Sequence, residues 1–249
     1  MALLTRRQML GGASAILGLA PVGTFAAQLA PRSESNKVKF KIIVAGGHPG
    51  DPEYGCGGTI ARFTGAGHDV GLLYLNEGEP NGSPASAKGV RVAEAKRACE
   101  LLKARPLYAG QVDGAAIIDA SHYAKFKEIL EREQPNVVFT HWPIDNHADH
   151  RAISMLVYES WIRVGKKFAL YFYEVSNGED TLQFAPTHYV NISETTEQKR
   201  SACLAHASQA PDKFYPLQQS VTRFRGVESG HKEAEAFIRH LQSPPFDLP

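Results

Sequence analysis

The chain has 249 residues, of which 43% are hydrophobic and 21% are charged, and its formal net charge is +1. This length and composition are typical of one globular α/β domain with a sizeable core. The near-zero charge, with no basic patch or basic stripe interleaved with aromatic residues, argues against nucleic acid as a partner.

The N-terminus carries an export pattern. Residues 5–10, Thr-Arg-Arg-Gln-Met-Leu, match a twin-arginine motif, and weakly apolar residues follow at 13–20. Because glycine and proline interrupt this apolar stretch, it is too short and too weak to span a membrane. We therefore expect a signal peptide, and the alternative is a disordered N-terminus with two chance arginines.

The export pattern divides the chain into three segments. These are a twin-arginine signal peptide (1–30), a linker (31–37) and a single mature domain (38–249). We expect the mature domain to be periplasmic or extracellular and to have no membrane span.

Strands and helices alternate along the mature domain. The predicted strands are 38–45, 68–75, 107–109, 137–141, 170–175 and 188–192. The predicted helices are 55–66, 85–102, 123–133, 151–164, 194–207 and 228–241. This alternation implies right-handed parallel crossovers, so we predict a Rossmann-like three-layer α/β/α sandwich with a mostly parallel sheet. No Gly-x-Gly-x-x-Gly motif follows the first strand, which disfavours a dinucleotide.

The first polar cluster lies where the first predicted strand ends. The apolar run 42–45 leads into glycines and then into a loop that carries His48 and Asp51. Ligands of open parallel sheets bind beyond the carboxyl ends of the strands, so this loop is a candidate site. The alternative is that His48 merely caps a turn.

A second polar cluster follows the apolar run 137–139 about a hundred residues later. It reads Asp145-Asn146-His147-Ala148-Asp149-His150-Arg151. Catalytic zinc is held by three nitrogen or oxygen ligands and keeps one open position. His48, Asp51 and one histidine of the second cluster could supply these ligands, whereas the alternative for the second cluster is a polar loop before a helix.

The two clusters resemble the two signatures of the PIG-L/LmbE-like zinc-dependent N-deacetylases. His48-Pro49-x-Asp51, followed by Gly-Cys-Gly-Gly-Thr at 55–59, is similar to a signature that usually begins His-Pro-Asp-Asp-Glu. Residues 147–151 resemble the second signature, His-Pro-Asp-His-Arg. Weaker echoes are Arg91 with Glu94 on a helix and His-Ala-Ser-Gln at 206–209, so the resemblance spans residues 39–241.

The resemblance implies one Zn²⁺ per chain, with His48, Asp51 and His150 as its ligands. It also implies that His147 stabilises the oxyanion or protonates the leaving amine. Asp149 matches a residue that orients this histidine. The residues themselves also allow Asp149 to be the N-cap of the helix that His150 opens, and the two roles are compatible.

The sequence departs from the family pattern at Gly50. Family members usually carry Asp there, as the general base that takes a proton from the zinc-bound water. Glycine cannot do so, although zinc alone lowers the pKa of bound water to about 7. The carboxylates that could replace this base are Glu53, Asp145, Glu77 and Glu79, and we favour Asp145 because it shares the cluster of His147.

The resemblance also implies substrate-binding residues. It places Arg91 against the substrate, although an i,i+3 ion pair with Glu94 is an equal alternative. Glu77 and Glu79 follow the second predicted strand, and one of them is expected to bind substrate. Asp113 is a weaker candidate on position alone.

The sequence thus predicts a zinc-dependent hydrolase that removes an N-acyl group, N-acetyl foremost, from an amino sugar or a related small molecule. The attacking group is a zinc-bound water. Two alternatives remain open, which are a non-catalytic zinc-binding protein, because of Gly50, and a hydrolase of another bond. The expected partner is therefore a small N-acyl molecule.

Replacing both Arg6 and Arg7 with Lys should abolish export, because a twin-arginine signal is recognised through its arginine pair. Full-length precursor should then accumulate inside the cell, as measured by fractionation and immunoblotting. The matched change Arg32→Lys in the linker should leave export unaltered. Native export of the double variant would rule out a twin-arginine signal.

Overall fold

A computed structural model of the chain describes residues 38–249, apart from residues 81, 83 and 85–88. The predicted signal peptide and linker lie outside the described residues, so the division of the chain stays a prediction. Within the described part, no helix combines the length and the apolar character that crossing a membrane requires.

The described residues build a seven-stranded sheet. Its strands in chain order are β1 (Lys41–Gly46), β2 (Asp69–Pro80), β3 (Arg105–Asp113), β4 (Val137–His141), β5 (Ala169–Tyr173), β6 (His188–Asn191) and β7 (Ala234–Arg239). Their spatial order is β3-β2-β1-β4-β5-β7-β6. Strands β1 to β5 are parallel to one another, whereas β7 runs antiparallel to both β5 and β6.

Helices cover both faces of this sheet. They are α1 (Asp51–Gly65), α2 (Val90–Leu102), α3 (Ala120–Glu133), α4 (Ala148–Arg163), α5 (Thr196–Leu204) and α6 (Pro211–Ser229), with a 3-10 turn at Ala207–Gln209. Alternate residues of β1 feed two separate cores, since Ile42 and Val44 pack on the side of α1 and α2 whereas Ile43 and Ala45 pack on the side of α3 and α4. The predicted three-layer α/β/α sandwich is confirmed.

The prediction of a closing helix at 228–241 is wrong. Helix α6 ends at Ser229, where Gly230 adopts the left-handed conformation, and residues 234–239 form strand β7. Alanine and glutamate favour helices locally, but β7 fills the gap between β5 and β6 and buries Phe237. Tertiary pairing therefore overrides a helical propensity that is worth less than about 1 kcal/mol per residue.

Two strands extend well beyond their predicted ends. β2 continues to Pro80 instead of ending at Leu75, and β3 reaches Asp113 instead of ending at Ala109. The added residues pair with each other through register shifts. These extensions decide which side chains reach the mouth of the sheet, because they carry Asp113 toward it.

The strand order places a crevice beside β1. The chain runs outward from β1 through β2 to β3, and then returns to the other side of β1 with β4 and β5. Ligands in such sheets bind at this switch point, outside the carboxyl ends of the two central strands. The two polar clusters predicted from the sequence follow β1 and β4, so the topology brings them together.

A buried ion pair holds α1 in place. Lys199 Nζ lies 2.6 Å from Glu235 Oε1 and donates to the Tyr54 carbonyl at 2.6 Å, and both charged side chains are 1% exposed. The Glu235 carboxylate accepts from the amides of Gly58 at 2.8 Å and Thr59 at 2.7 Å. The pair therefore joins α5 and β7 to the backbone of the helix that begins at the first polar cluster.

Lys199→Met should lower the free energy of unfolding by about 3–5 kcal/mol, because it leaves the buried Glu235 charge without its partner. Lys127→Met is the matched control, since Lys127 makes an exposed i,i+4 pair with Glu131 and its loss should change stability by no more than about 0.5 kcal/mol. Chemical denaturation of both variants measures the difference. Equal, small losses would show that the buried pair does not brace α1.

Candidate metal centre

One carboxylate oxygen gathers three histidines at the switch point. Asp51 Oδ2 lies 3.3 Å from His48 Nδ1, 3.2 Å from His150 Nε2 and 3.2 Å from His141 Nε2, and it accepts from the His48 amide at 2.8 Å. Asp51 opens α1, where the helix dipole favours a negative charge. His48 comes from the loop after β1, His141 ends β4, and His150 lies in the first turn of α4.

Asp145 lies behind His150 and holds its ring. Its Oδ1 is 3.1 Å from His150 Nδ1 and accepts from the His147 amide at 2.8 Å, and its Oδ2 accepts from the Thr181 hydroxyl at 3.0 Å. His150 therefore points its Nε2 toward Asp51. In metal sites generally, a hydrogen bond to one ring nitrogen of a histidine orients the other nitrogen toward the metal. This geometry does not support Asp145 as the substitute base, because both of its oxygens are already bonded and it does not line the pocket that opens over the cluster.

The side-chain carboxylate of Asp149 bonds to the ring of His48 and not to that of His147. Its Oδ2 lies 3.1 Å from His48 Nε2 and accepts from Asn76 Nδ2 at 3.0 Å and from the Gly114 amide at 2.9 Å. The N-cap of α4 is His147, whose Nδ1 accepts from the Asp149 amide at 3.2 Å. The prediction that Asp149 is the N-cap is wrong, and its carboxylate orients a ring of the first cluster.

His147 stands over the cluster with one edge free for a substrate. Its ring centroid is 4.6 Å from that of His48 and 4.7 Å from that of His150. Burial and these two neighbouring rings lower its pKa, so the neutral form is favoured. Because Nδ1 accepts a hydrogen bond, the neutral ring carries its proton on Nε2 and can donate it to a developing negative charge.

The predicted ligands belong to overlapping groups of metal-binding atoms. Three sets have their ligand atoms within 4.8 Å of one another; they are His48, His147 and His150, then Asp51, His141 and His150, then His48, Asp113 and Asp149. The structure thus brings His48, Asp51 and His150 together through Asp51. It adds His141, for which the sequence predicts only a place at the end of a strand.

The cluster stabilises positive charge. Burial alone would lower the pKa of His48, but hydrogen bonds to Asp113, Asp149 and Asp51 raise it to about 11. Burial likewise opposes protonation of His150, but the charge of Asp51 and hydrogen bonds to carboxylates raise its pKa to about 9. Protons on these histidines balance the negative charge of the carboxylates, and a bound metal cation would balance the same charge.

The donor set fits zinc. Imidazole nitrogens of His48 and His150 and a carboxylate oxygen of Asp51 are the ligand types that catalytic zinc takes. Asp149 Oδ1 and His141 Nδ1 are buried and have no hydrogen-bond partner among the described residues. Polar atoms left unsatisfied beside a cluster of imidazoles and carboxylates are expected where an ion or ordered water completes the site.

A pocket of about 400 Å³ opens over the cluster. The wall nearest the cluster consists of His48, Asp51 and His147. Other walls come from residues 206–214 and from the loop after β5. The residues that line these walls include Gly50, Tyr54, Arg91, Asp113, Asp180, His206 and Phe214.

Arg91 belongs to the pocket wall and not to a helical ion pair. Its guanidinium donates to the carbonyls of Pro49 at 2.8 Å and Gly78 at 3.1 Å and lies 3.8 Å from Asp113. The alternative pairing with Glu94 is wrong, because that carboxylate accepts from the amide and hydroxyl of Ser208 in the 3-10 turn instead. Substrate contact by Arg91 stays a prediction that its position supports.

The other carboxylates proposed as the base lie away from the pocket. Glu77 is exposed, and Glu79 accepts from the Gly89 amide. The extension of β2 to Pro80 carries both past the mouth, which also disfavours them as substrate-binding residues. Glu53 is fully buried, where it accepts from the Tyr74 hydroxyl at 2.7 Å and lies 3.0 Å from His206 Nε2.

Gly50 has space for a side chain but an unusual backbone. A Cβ at this position would lie 3.8 Å from His206 Cδ2, which is ordinary contact, whereas its φ of +115° is one that L residues rarely adopt. Glycine here therefore removes the usual base and also permits the conformation of the ligand loop.

Comparison with known proteins identifies the domain. Residues 43–161 match the family model PIG-L, described as GlcNAc-PI de-N-acetylase. The chain carries a PIG-L family domain. The predicted resemblance is thereby confirmed, and the family and its relatives are deacetylases.

Relatives of this PIG-L domain match most of the chain. A diacetylchitobiose deacetylase of Thermococcus kodakarensis is 27% identical over an alignment of 221 residues, and the alignment covers 80% of this chain and 82% of that protein. The crystal structure of the conserved protein TT1542 from Thermus thermophilus is 28% identical with a TM-score of 0.72, covering 83% of this chain and 97% of that one.

A further structural neighbour shares the fold alone. GalB, a 4-carboxy-2-hydroxymuconate hydratase from Pseudomonas putida KT2440, has a TM-score of 0.74 at 21% identity, covering 85% of this chain and 100% of that chain. The fold therefore does not by itself fix the reaction, and the residues of the site have to carry the functional argument.

His150→Ala should remove most of the bound metal from the PIG-L domain, because only two of the three predicted protein ligands remain. His231→Ala is the matched control, since His231 is exposed on the loop before β7. Elemental analysis after dialysis against limiting zinc should find about one zinc per native chain. Full zinc in the His150 variant would mean that the ligand assignment is wrong.

Proposed function

We propose that this PIG-L domain is a zinc-dependent hydrolase that removes an N-acyl group, N-acetyl foremost, from an amino sugar or a related small molecule. The observation that carries the proposal is His147, which lines the same pocket as His48 and Asp51 and has a ring nitrogen within 4.8 Å of ligand atoms of His48 and His150. A purely structural metal site would need no such histidine facing a cavity. The diacetylchitobiose deacetylase relative supports the substrate class.

The chemistry divides between the metal and the chain. Zinc at His48, Asp51 and His150 would supply a Lewis acid for the acyl carbonyl and would lower the pKa of a water to about 7. His147 Nε2 donates a hydrogen bond to the carbonyl oxygen as that oxygen gains negative charge, which is a large source of rate enhancement in acyl transfer. Asp145 and Asp149 hold the rings of His150 and His48 in place.

The pocket suits a small polyhydroxylated substrate. Its volume of about 400 Å³ lies in the range of sites for small molecules. Arg91 offers hydrogen-bond donors and Asp113 offers acceptors for hydroxyl groups on one wall, whereas Tyr54 and Phe214 give apolar ring surface elsewhere. An amino sugar presents both hydroxyl groups and a partly apolar ring, so it can use both kinds of wall.

We also propose that the protein acts outside the cytoplasm. The twin-arginine pattern at 5–10 supports this location. It implies that the substrate is a sugar of the envelope or the surroundings rather than a cytoplasmic intermediate.

The zinc-loaded protein should release equal amounts of acetate and free amine from N-acetylglucosamine or N,N'-diacetylchitobiose. Chelation should abolish the release and added zinc should restore it. His147→Gln should keep its zinc but lower kcat by about 10²–10³-fold, because one donor to the oxyanion is lost. A fully loaded native protein that leaves a broad N-acyl panel intact would contradict the proposal, and hydrolysis of esters alone would indicate another bond.

A further inference from the structure

Proton transfer in this pocket lacks its expected acceptor. When water adds to an amide carbon, a proton leaves the water, and the nitrogen gains a proton as its bond to carbon breaks. Gly50 has no side chain to carry that proton, and Glu53, Asp145, Glu77 and Glu79 do not line the pocket. The inference below rests on the proposed function and concerns which residue takes this role.

Three carboxylates line the pocket among the residues that the structure describes, namely Asp51, Asp113 and Asp180. Asp51 is surrounded by three histidines and is committed to the metal cluster. Asp113 lies 3.2 Å from His48 Nε2 and 3.8 Å from Arg91, and these neighbours lower its pKa despite burial. Asp113 is therefore a weak base that is already engaged.

Among the described residues, Asp180 differs from Asp51 and Asp113 because no hydrogen bond or ion pair engages its carboxylate. Within the described part of the chain, its side chain makes no hydrogen bond or ion pair, although it is only partly exposed. Burial is the main cause that raises its pKa; His150 lowers it, whereas the carboxylates of Asp145, Asp51 and Glu179 raise it further. A carboxylate in such surroundings accepts a proton more readily than an ordinary aspartate.

The backbone fixes where this carboxylate stands. The Asp180 amide donates to the Ser176 carbonyl at 3.0 Å, and its own carbonyl accepts from the Asn146 amide at 2.9 Å. The next residue, Thr181, forms a bridge with Asp145 and donates its hydroxyl to that carboxylate at 3.0 Å. The loop after β5 is thus attached to the segment that carries His147, so Asp180 is positioned and not merely nearby.

We propose that Asp180 is the general base of this enzyme, in place of the side chain that is missing at Gly50. Its carboxylate takes one proton from the attacking water as the oxygen–carbon bond forms. The same proton passes to the nitrogen as the carbon–nitrogen bond breaks, which returns Asp180 to the carboxylate form. The products are the carboxylic acid and the free amine, and no further reactant is needed.

The test compares Asp180→Asn with Glu179→Gln, which removes an exposed carboxylate from the adjacent position of the same loop. Asp180→Asn should lower kcat for acetate release by at least ~10²-fold, with KM within a few-fold of native and full zinc by elemental analysis. It should also remove the acid limb of the pH–rate profile. Glu179→Gln should keep the native kcat and retain an acid limb, which shifts slightly to lower pH because a carboxylate that raises the pKa of Asp180 is lost. Asp180→Glu should recover part of the lost rate because it restores a carboxylate.

A second measurement does not depend on turnover. Carboxyl ¹³C NMR of the metal-free protein, with Asp180 assigned by its loss in the Asn variant, should show a pKa above the value of about 3.9 for an unperturbed aspartate. An ordinary or lowered pKa would overturn the proposal, as would a zinc-loaded Asp180→Asn variant that works within a few-fold of native. A native enzyme that cleaves no N-acyl substrate would reject the proposed function instead, and the NMR titration would then decide on Asp180.

Discussion

The site depends on one buried carboxylate that is shared by three imidazoles. Asp51 Oδ2 is within 3.3 Å of His48, His141 and His150, which arrive from three different elements. Burial would raise the pKa of Asp51, but these histidines, His150 above all, keep it well below the usual range. The arrangement is stable only with positive charge among the rings, and protons or a divalent cation can supply that charge.

The rest of the fold holds the Asp51 carboxylate within hydrogen-bond distance of the three histidine rings. Asp51 begins α1, so the position of the helix decides the position of the oxygen. Gly58 lets α1 approach closely, because a Cβ there would lie 2.5 Å from Ile192 Cγ2. The Lys199–Glu235 pair then bonds to the same helix from two later elements. The C-terminal part of the chain, which contributes no predicted metal ligand, thus fixes the geometry of the metal cluster.

Sequence patterns predict those parts of this structure whose cause is local. The first strand, the His48–Asp51 loop and the run 145–150 follow from apolar runs that end in polar clusters, and the parallel order of the core strands follows from alternation. His141, Asp113 and Asp180 carry no motif. They reach the site because of pairing at the end of β4, a register shift between β2 and β3, and a loop attached to residues 144–146. The sequence does not predict strand β7 for the same reason, since the strands that pair with it are distant along the chain.

The proposed base, Asp180, lies on a different segment from position 50, where the family usually carries its base. This difference affects the backbone strain next to the predicted metal ligand Asp51. A base at position 50 shares the ligand loop with Asp51, and at φ +115° any L residue there adds about 1–3 kcal/mol of strain. That strain would act on the residue next to the ligand, so an added Asp would disturb the metal cluster while supplying a base. A base on the loop after β5 avoids this coupling, because its backbone bonds to residues 144–146 and 176 and not to the ligand loop. Metal ligation and proton transfer then lie on separate segments, so either can change in evolution while the other stays intact.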